Sequence, residues 1–287
     1  MKQISRKIII ILLICITVLS GCVPSSIMIQ HSNSLSSIAY KNETMSEEDY
    51  TVMIKERGEY VPYLVITDNY DGSRNCLLLR KYLLDDYFRF NEDLEVSSYY
   101  KTCELGNYLD EEYIKIYSNE LQDIIVNTDI EITSYLGLIS CKNLKEHINR
   151  KVFLLSYNEL CKDKSSSICA EGNAISYFED KSHAVAVKAN GEEGAYWLRT
   201  PDTWFTTVVC AIDTEGTYFS SGTSFGSDDY ELGVRPAFCL PRNTQIIEED
   251  GVYYIEADYN SPDLRENAED RTEMHSLRLW LLIIHLQ

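Results

Sequence analysis

The period of the apolar positions changes several times along the chain, and each change marks a boundary. Ile8–Leu19 is almost unbroken apolar sequence, interrupted only by Thr17, and Val23–Glu47 is Ser/Asn-rich with no sustained period. From Tyr50 the pattern alternates: Thr51–Ile54, Val61–Thr67 and Cys76–Leu79 predict strands, with Asp68–Gly72 as a turn. Leu105, Leu109 and Tyr113 recur at helical spacing, and Leu121, Ile124 and Ile125 resume it after a break at Tyr117–Ser118. Tyr99–Val126 is therefore expected to be helical, with Ser118 as an internal cap. Asp129–Leu138 alternates weakly, and Lys151–Ser156 predicts a short buried strand. Ser156 followed by Glu159 is a capping-box start for a short helix, a better account of that serine than a nucleophile. Asn173–Lys188 is mixed, partly helical, and its His183 reads as a surface residue. Tyr196–Arg199, Val208–Ile212, Thr217–Phe219 and Val234–Leu240 predict strands, with a hairpin turn at Asp213–Gly216 and a loop over Ser220–Glu231. Pro236 suggests an edge or a bulge in the last of these. Glu248–Gly251, between Thr244–Ile247 and Val252–Ala257, predicts a further hairpin.

The first stretch changes meaning when its flanks are included. Lys2, Arg6 and Lys7 precede the apolar run and Leu19-Ser20-Gly21-Cys22 follows it, and the run is shorter than the roughly 20 residues of a membrane span. The segment resembles a bacterial lipoprotein signal. The resemblance implies a signal peptide over 1–21, lipidation at Cys22, and a location on the extracytoplasmic face of the cell membrane. Residues 22–49 are then expected as a flexible tether, 50–257 as a single α+β domain, and 258–287 as a polar linker with a short apolar tail. That tail, Leu277–Leu286, is too short to span a bilayer.

Charge narrows the partners. The net charge is −19, and removing Lys2, Arg6 and Lys7 with the signal takes it to −22. Nucleic acid is excluded as a partner, because phosphate neutralisation needs Lys and Arg. The same acidity argues against docking to anionic lipid through the protein surface. Nine cysteines are present. Once Cys15 and Cys22 are set aside, an odd number remains, so at least one thiol lacks an internal partner. Cys161 with Cys169 and Cys210 with Cys239 are the plausible pairs. No CxxC or Cys/His ligand spacing occurs, and neither a metal nor another cofactor is expected.

The phrases KVFLLSYNEL (151–160), YWLRTPD (196–202) and ELGVRPAFCLP (231–241) occur in this order. With them the chain is identified as a member of domain-of-unknown-function family 6273, over roughly Tyr50–Pro241. It departs from the family pattern in having Tyr196 before Trp197 and Thr200 in place of serine. The layout of a tryptophan and arginine strand, a Gly-rich loop and Gly-Val-Arg also resembles the closing half of C-type-lectin-like domains, a group that includes the sulfatase-modifying enzymes. That likeness implies small antiparallel sheets, two flanking helices and a long loop region presenting a ligand. The chemistry of the sulfatase-modifying enzymes needs a close cysteine pair in the terminal segment, where Cys239 stands alone.

Candidate contact residues follow from chemistry. Trp204 beside Asp202, Asp228, Asp229 and Glu231 combines an aromatic face with hydroxyl-accepting carboxylates, the set that binds sugars. Arg199 and Arg235, in apolar settings near Trp197, are expected to meet carboxylates near the core, or an anion. The leading expectation is a lipid-anchored, non-catalytic module binding cell-wall glycan or a protein ligand. A hydrolase using loop carboxylates and a purely structural surface protein are the alternatives.

Overall fold

The computed structural model describes residues 33–91, 97–160, 169–202, 205–222 and 231–261, all within one compact unit that starts at Asn33. Strands and helices are mixed along the chain, and the fold is α+β. The strands, in order, are β1 (Asn33–Ser34), β2 (Thr51–Glu56), β3 (Glu59–Thr67), β4 (Asn75–Arg80), β5 (Thr128–Thr133), β6 (Lys145–Arg150) and β7 (Val152–Phe153). They continue with β8 (Tyr196–Pro201), β9 (Val208–Ile212), β10 (Tyr218–Gly222), β11 (Ala237–Pro241), β12 (Gln245–Glu249) and β13 (Val252–Ile255). The helices are α1 (Glu104–Glu111), α2 (Asn119–Ile124), α3 (Tyr135–Ser140), α4 (Tyr157–Leu160) and α5 (Glu256–Tyr259).

An eight-stranded sheet, in the order β1-β12-β13-β2-β3-β4-β11-β7, carries the core. Small sheets of three strands (β10-β9-β8) and two strands (β5-β6) stand beside it. All pairings between these strands are antiparallel except β13 with β2, and an isolated parallel bridge joins Tyr196 of β8 to Gly233. Val52 and Ile54 on β2, Leu64–Ile66 on β3, Leu77–Leu79 on β4 and Phe238 on β11 are buried against one another. The turn chemistry is local. Asp250 and Gly251 take φ of 52° and 81°, as a two-residue hairpin requires, and Gly72 turns at 77° between β3 and β4.

Several expectations are refined. The helical stretch 99–126 is broken into α1, a 3₁₀ turn at Tyr113–Ile116 and α2, and Ser118 caps α2 through Leu121 N–H at 3.2 Å. The strand ending at Pro241 lies inside the sheet between β4 and β7, not at an edge. Pro236 sits just before its first paired residue and uses only its carbonyl, accepting from Arg80 N–H at 2.9 Å. Many of the tyrosines belong to the core. The hydroxyls of Tyr63 and Tyr113 converge on Glu56 at 2.6 and 3.0 Å, and Tyr117 joins through Tyr63. Arg80 forks onto the same carboxylate at 2.9 and 3.0 Å.

The expected tether over 22–49 ends earlier than its composition suggests. Leu35, Ile38 and Ala39 are buried, β1 pairs with β12, and Tyr40 N–H reaches Val65 O at 2.8 Å. The polar residues of 33–49 face outward while the few apolar ones plug the sheet. At the other end α5 closes the fold with buried Asp258, which accepts from Lys55 N–H at 2.6 Å and Ser118 Oγ at 2.7 Å. Leu35→Ala is expected to cost about 2–5 kcal/mol, measured by urea unfolding. A tether residue would change the midpoint by nothing measurable.

Candidate functional site

A solvent-open groove of about 480 Å³ is lined by Tyr87, Phe88, Arg89, Glu104, Leu105, Tyr108 and Glu231. Three segments make its walls, and backbone bonds lock them together. Phe88 and Leu232 exchange both N–H bonds at 2.9 and 3.1 Å, and Leu105 N–H at the start of α1 donates to Phe90 O at 3.2 Å. Trp197 supports the floor from behind. It is 1 % exposed, its ring meets Phe90 edge-on, and its Nε1–H donates to Phe88 O at 2.7 Å.

The lining pairs aromatic faces with charges. Phe88 and Tyr108 rings lie 5.4 Å apart, and Lys188 Nζ sits 3.9 Å from the centre of the Tyr87 ring, a cation–π contact. Arg89 Nε is 3.3 Å from Glu231 Oε1, close enough to pair electrostatically but outside hydrogen-bonding geometry. That Nε–H is buried and has no acceptor among the described residues. Both partners remain about a third exposed, so the pair contributes little to stability and is open to rearrangement by a ligand.

Two residues beyond Trp197 on β8, Arg199 anchors a closed ionic network. Arg199 on β8 and Glu159 on α4 are both 0 % exposed and meet in a fork, Nη1 to Oε2 and Nη2 to Oε1, each at 2.8 Å. Arg199 also donates to Leu154 O at 2.9 Å and Glu131 O at 3.2 Å, and Tyr70 Oη–H donates to Glu159 at 2.7 Å. Glu171, 3.7 Å from Arg199, accepts from Thr133 N–H and Oγ1–H and from Thr200 Oγ1–H at 2.6–2.7 Å. Burial pushes the Glu171 carboxyl above its ordinary range, and the Arg199 charge and the threonine bonds offset this only in part. Glu159 does double duty. Its carboxylate accepts Ser156 N–H at 2.7 Å while Ser156 Oγ accepts Glu159 N–H at 3.2 Å, completing the capping box of α4.

Residues 73–242 match the model of one family, described as Domain of unknown function (DUF6273). The chain belongs to this family. No curated protein and no solved structure matches it. The DUF6273 span includes every residue that lines the groove, together with Glu159, Glu171 and Arg199 of the network. It leaves β1, β2, β3, β12 and β13 outside, so residues flanking the family match build five of the eight strands of the large sheet.

Within the DUF6273 fold the sequence-derived residues separate. Glu231 lines the groove and Trp197 supports it. Asp202 is buried at the end of β8, accepts from Ser220 Oγ at 3.2 Å, and is not part of the lining. Trp204, Asp228 and Asp229 lie outside the described residues, as do Cys22 and Cys161. Arg199 meets carboxylates as its setting predicts. Arg235 does not. It is 4 % exposed and donates to two backbone carbonyls, Arg80 O at 3.0 Å and His183 O at 3.3 Å. Tyr196–Arg199 is buried on both faces, because β8 is also strapped to Gly233 and Leu155. His183 is half-buried, stacked on Tyr177 at 4.1 Å, and its Nδ1 lies 2.6 Å from Tyr177 O.

The Cys210–Cys239 pairing is overturned: the two stand on strands of different sheets, β9 and β11, and no disulfide joins them. Cys169 is buried. Among the described residues no group of three His, Cys, Asp or Glu side chains is arranged to hold a metal ion. Sequence reasoning missed Tyr87, Arg89 and Tyr108. The signal available was the run Tyr87-Phe88-Arg89, aromatic and cationic residues directly after two aspartates in an otherwise strand-poor segment.

Proposed function

We propose that the chain is a bacterial lipoprotein anchored through Cys22 at the extracytoplasmic face of the cell membrane. Its folded part is a non-catalytic binding module, C-type-lectin-like in layout, that takes a glycan or peptide of the cell wall in the Tyr87–Tyr108–Glu231 groove. The observation that carries this reading is the groove's lining. Tyr87, Phe88 and Tyr108 offer faces on which a sugar ring or a peptide side chain stacks. Glu104 and Glu231 accept from hydroxyl or amide hydrogens, and Arg89 donates to an acceptor. A concave site with aromatic walls and a few convergent polar groups is the usual form of a ligand pocket. The anchor rests on Lys2, Arg6, Lys7, the apolar run and Leu19–Cys22.

Thermal melting of the protein with and without solubilised wall fragments tests the groove. A ligand at 100 times its dissociation constant adds about 2.7 kcal/mol, a clear upward shift in Tm. Tyr87→Ala and Glu231→Ala change partly exposed residues and are expected to leave the unliganded stability within about 0.5 kcal/mol while abolishing the shift. A shift that survives both substitutions places the ligand elsewhere and sinks the groove assignment.

A further inference from the structure

Four of the large apolar side chains that stand exposed among the described residues lie together in residues 135–144: Tyr135 at 47 %, Leu136 at 58 %, Ile139 at 52 % and Leu144 at 39 %. They form the tip between β5 and β6, around α3. The tip is held rather than loose. Ser134 caps α3 through Gly137 N–H at 3.1 Å and donates to Leu144 O at 3.0 Å, and Cys141 ends the helix at φ 52°. A Cβ on Gly137 would stand 2.6 Å from Leu144 O, so the returning strand is pressed against the helix. The Tyr135 ring meets Tyr99 edge-on at 5.6 Å, and Tyr99 is itself hydrogen-bonded to Glu146. A fixed conformation that keeps aliphatic side chains in water has a cost that a covering surface would relieve.

The charge around the tip says what kind of surface. Residues 134–145 contain Lys142 and Lys145 and no carboxylate, in a chain with 45 acidic and 26 basic residues. Two of the three flanking carboxylates are answered by lysines. Glu131 pairs with Lys145 at 2.7 Å, Glu146 with Lys101 at 3.2 Å, and Asp129 lies 3.2 Å from His147. Lys142 is exposed and has no ion pair among the described residues. Aliphatic side chains, a tyrosine at their border and an uncommitted lysine form the pattern of a segment that enters the headgroup region of a membrane. The acidity that keeps the rest of the surface away from anionic lipid stops at this tip.

We propose that the Tyr135–Leu144 tip docks on the anionic bilayer to which the chain is anchored. The proposal rests on the anchored reading given above. With the fold starting at Asn33, ten residues separate it from Cys22. They reach at most about 40 Å, so a lipidated Cys22 keeps the tip at high local concentration over the membrane. Insertion of Leu136, Ile139 and Leu144 then fixes which side of the domain faces the lipid.

The full-length protein, expressed in a bacterium and reconstituted into phosphatidylglycerol/phosphatidylethanolamine vesicles, carries a built-in probe in exposed Cys141. Its reaction with a water-soluble maleimide is followed by mass spectrometry of the Cys141 peptide. On vesicles the reaction is expected to slow about tenfold against protein in a non-ionic detergent, less on purely phosphatidylcholine vesicles. Leu136→Asp with Ile139→Asp is expected to restore the fast rate without changing Tm. Equal rates on vesicles and in detergent overturn the docking. Protection without lipid also overturns it, and its dependence on protein concentration then separates a second copy from another segment of the same chain. The mass of the amino-terminal peptide reports lipidation at Cys22 independently, so failure of the anchor and failure of the tip are read apart.

Discussion

Arg199→Ala is expected to lose about 3–5 kcal/mol of stability, the largest effect of any polar substitution in this fold. The guanidinium is wholly enclosed, and its fork onto Glu159 leaves neither charge in contact with water. Removing it strands Glu159, and leaves Glu171 without the cation 3.7 Å away. Two carboxylates then share an apolar volume with only hydroxyls and backbone N–H groups to answer them. The ionised form of each becomes costly, and the capping box of α4 loses its electrostatic backing. Arg199→Lys is not a rescue, because one ammonium cannot reach both oxygens of Glu159, Leu154 O and Glu131 O together. Urea unfolding reads the loss. A change below about 1 kcal/mol for Arg199→Ala would mean that the network is replaceable by water and is no keystone.

Trp197→Ala is expected to cost a similar amount, about 3–5 kcal/mol, through the cavity it opens. Its second effect separates stability from binding. Trp197 Nε1–H holds Phe88 O, and Phe88 is a wall of the groove. Trp197→Phe keeps most of the buried ring but deletes that donor, leaving the carbonyl to Leu232 N–H alone. This variant is expected to lose only about 1–3 kcal/mol, and to weaken the response of Tm to wall fragments by more than its own stability loss explains. An unaltered response in Trp197→Phe would detach the tryptophan from the site.

The parts of this fold that could be read from sequence are those whose cause is local. Ser118 and Ser156 cap the helices their spacing predicts, and Asp250-Gly251 turns the hairpin its chemistry demands. Arg199 was legible as a buried cation needing a carboxylate, but its partner was not. Glu159 and Glu171 are brought to it by α4 and by the segment after Cys169, through packing that leaves no trace in spacing. The groove was illegible for the same reason: its walls come from residues 87–89, 104–108 and 231, and neither the Tyr87-Phe88-Arg89 run nor Glu231 says by itself that the others stand beside it. The stretch 33–49 misled because its composition is that of a linker, while three apolar residues, Leu35, Ile38 and Ala39, suffice to bind it to the sheet. Pro236 misled because a proline's missing donor matters only within the ladder, and it stands one residue outside.

The order of strands in the large sheet has a consequence for how the protein comes into being. β12 and β13, among the last described residues, sit between β1 and β2, among the first, and α5 closes on Lys55 from the far end of the chain. A polypeptide emerging from the ribosome amino end first therefore holds residues 33–67 waiting, with an incomplete sheet edge, until residues 245–261 are made. Assembly cannot run to completion from one end. A message truncated near its 3′ end yields a chain that retains the whole groove but has an open edge in its main sheet, a state disposed to recruit strands from other chains.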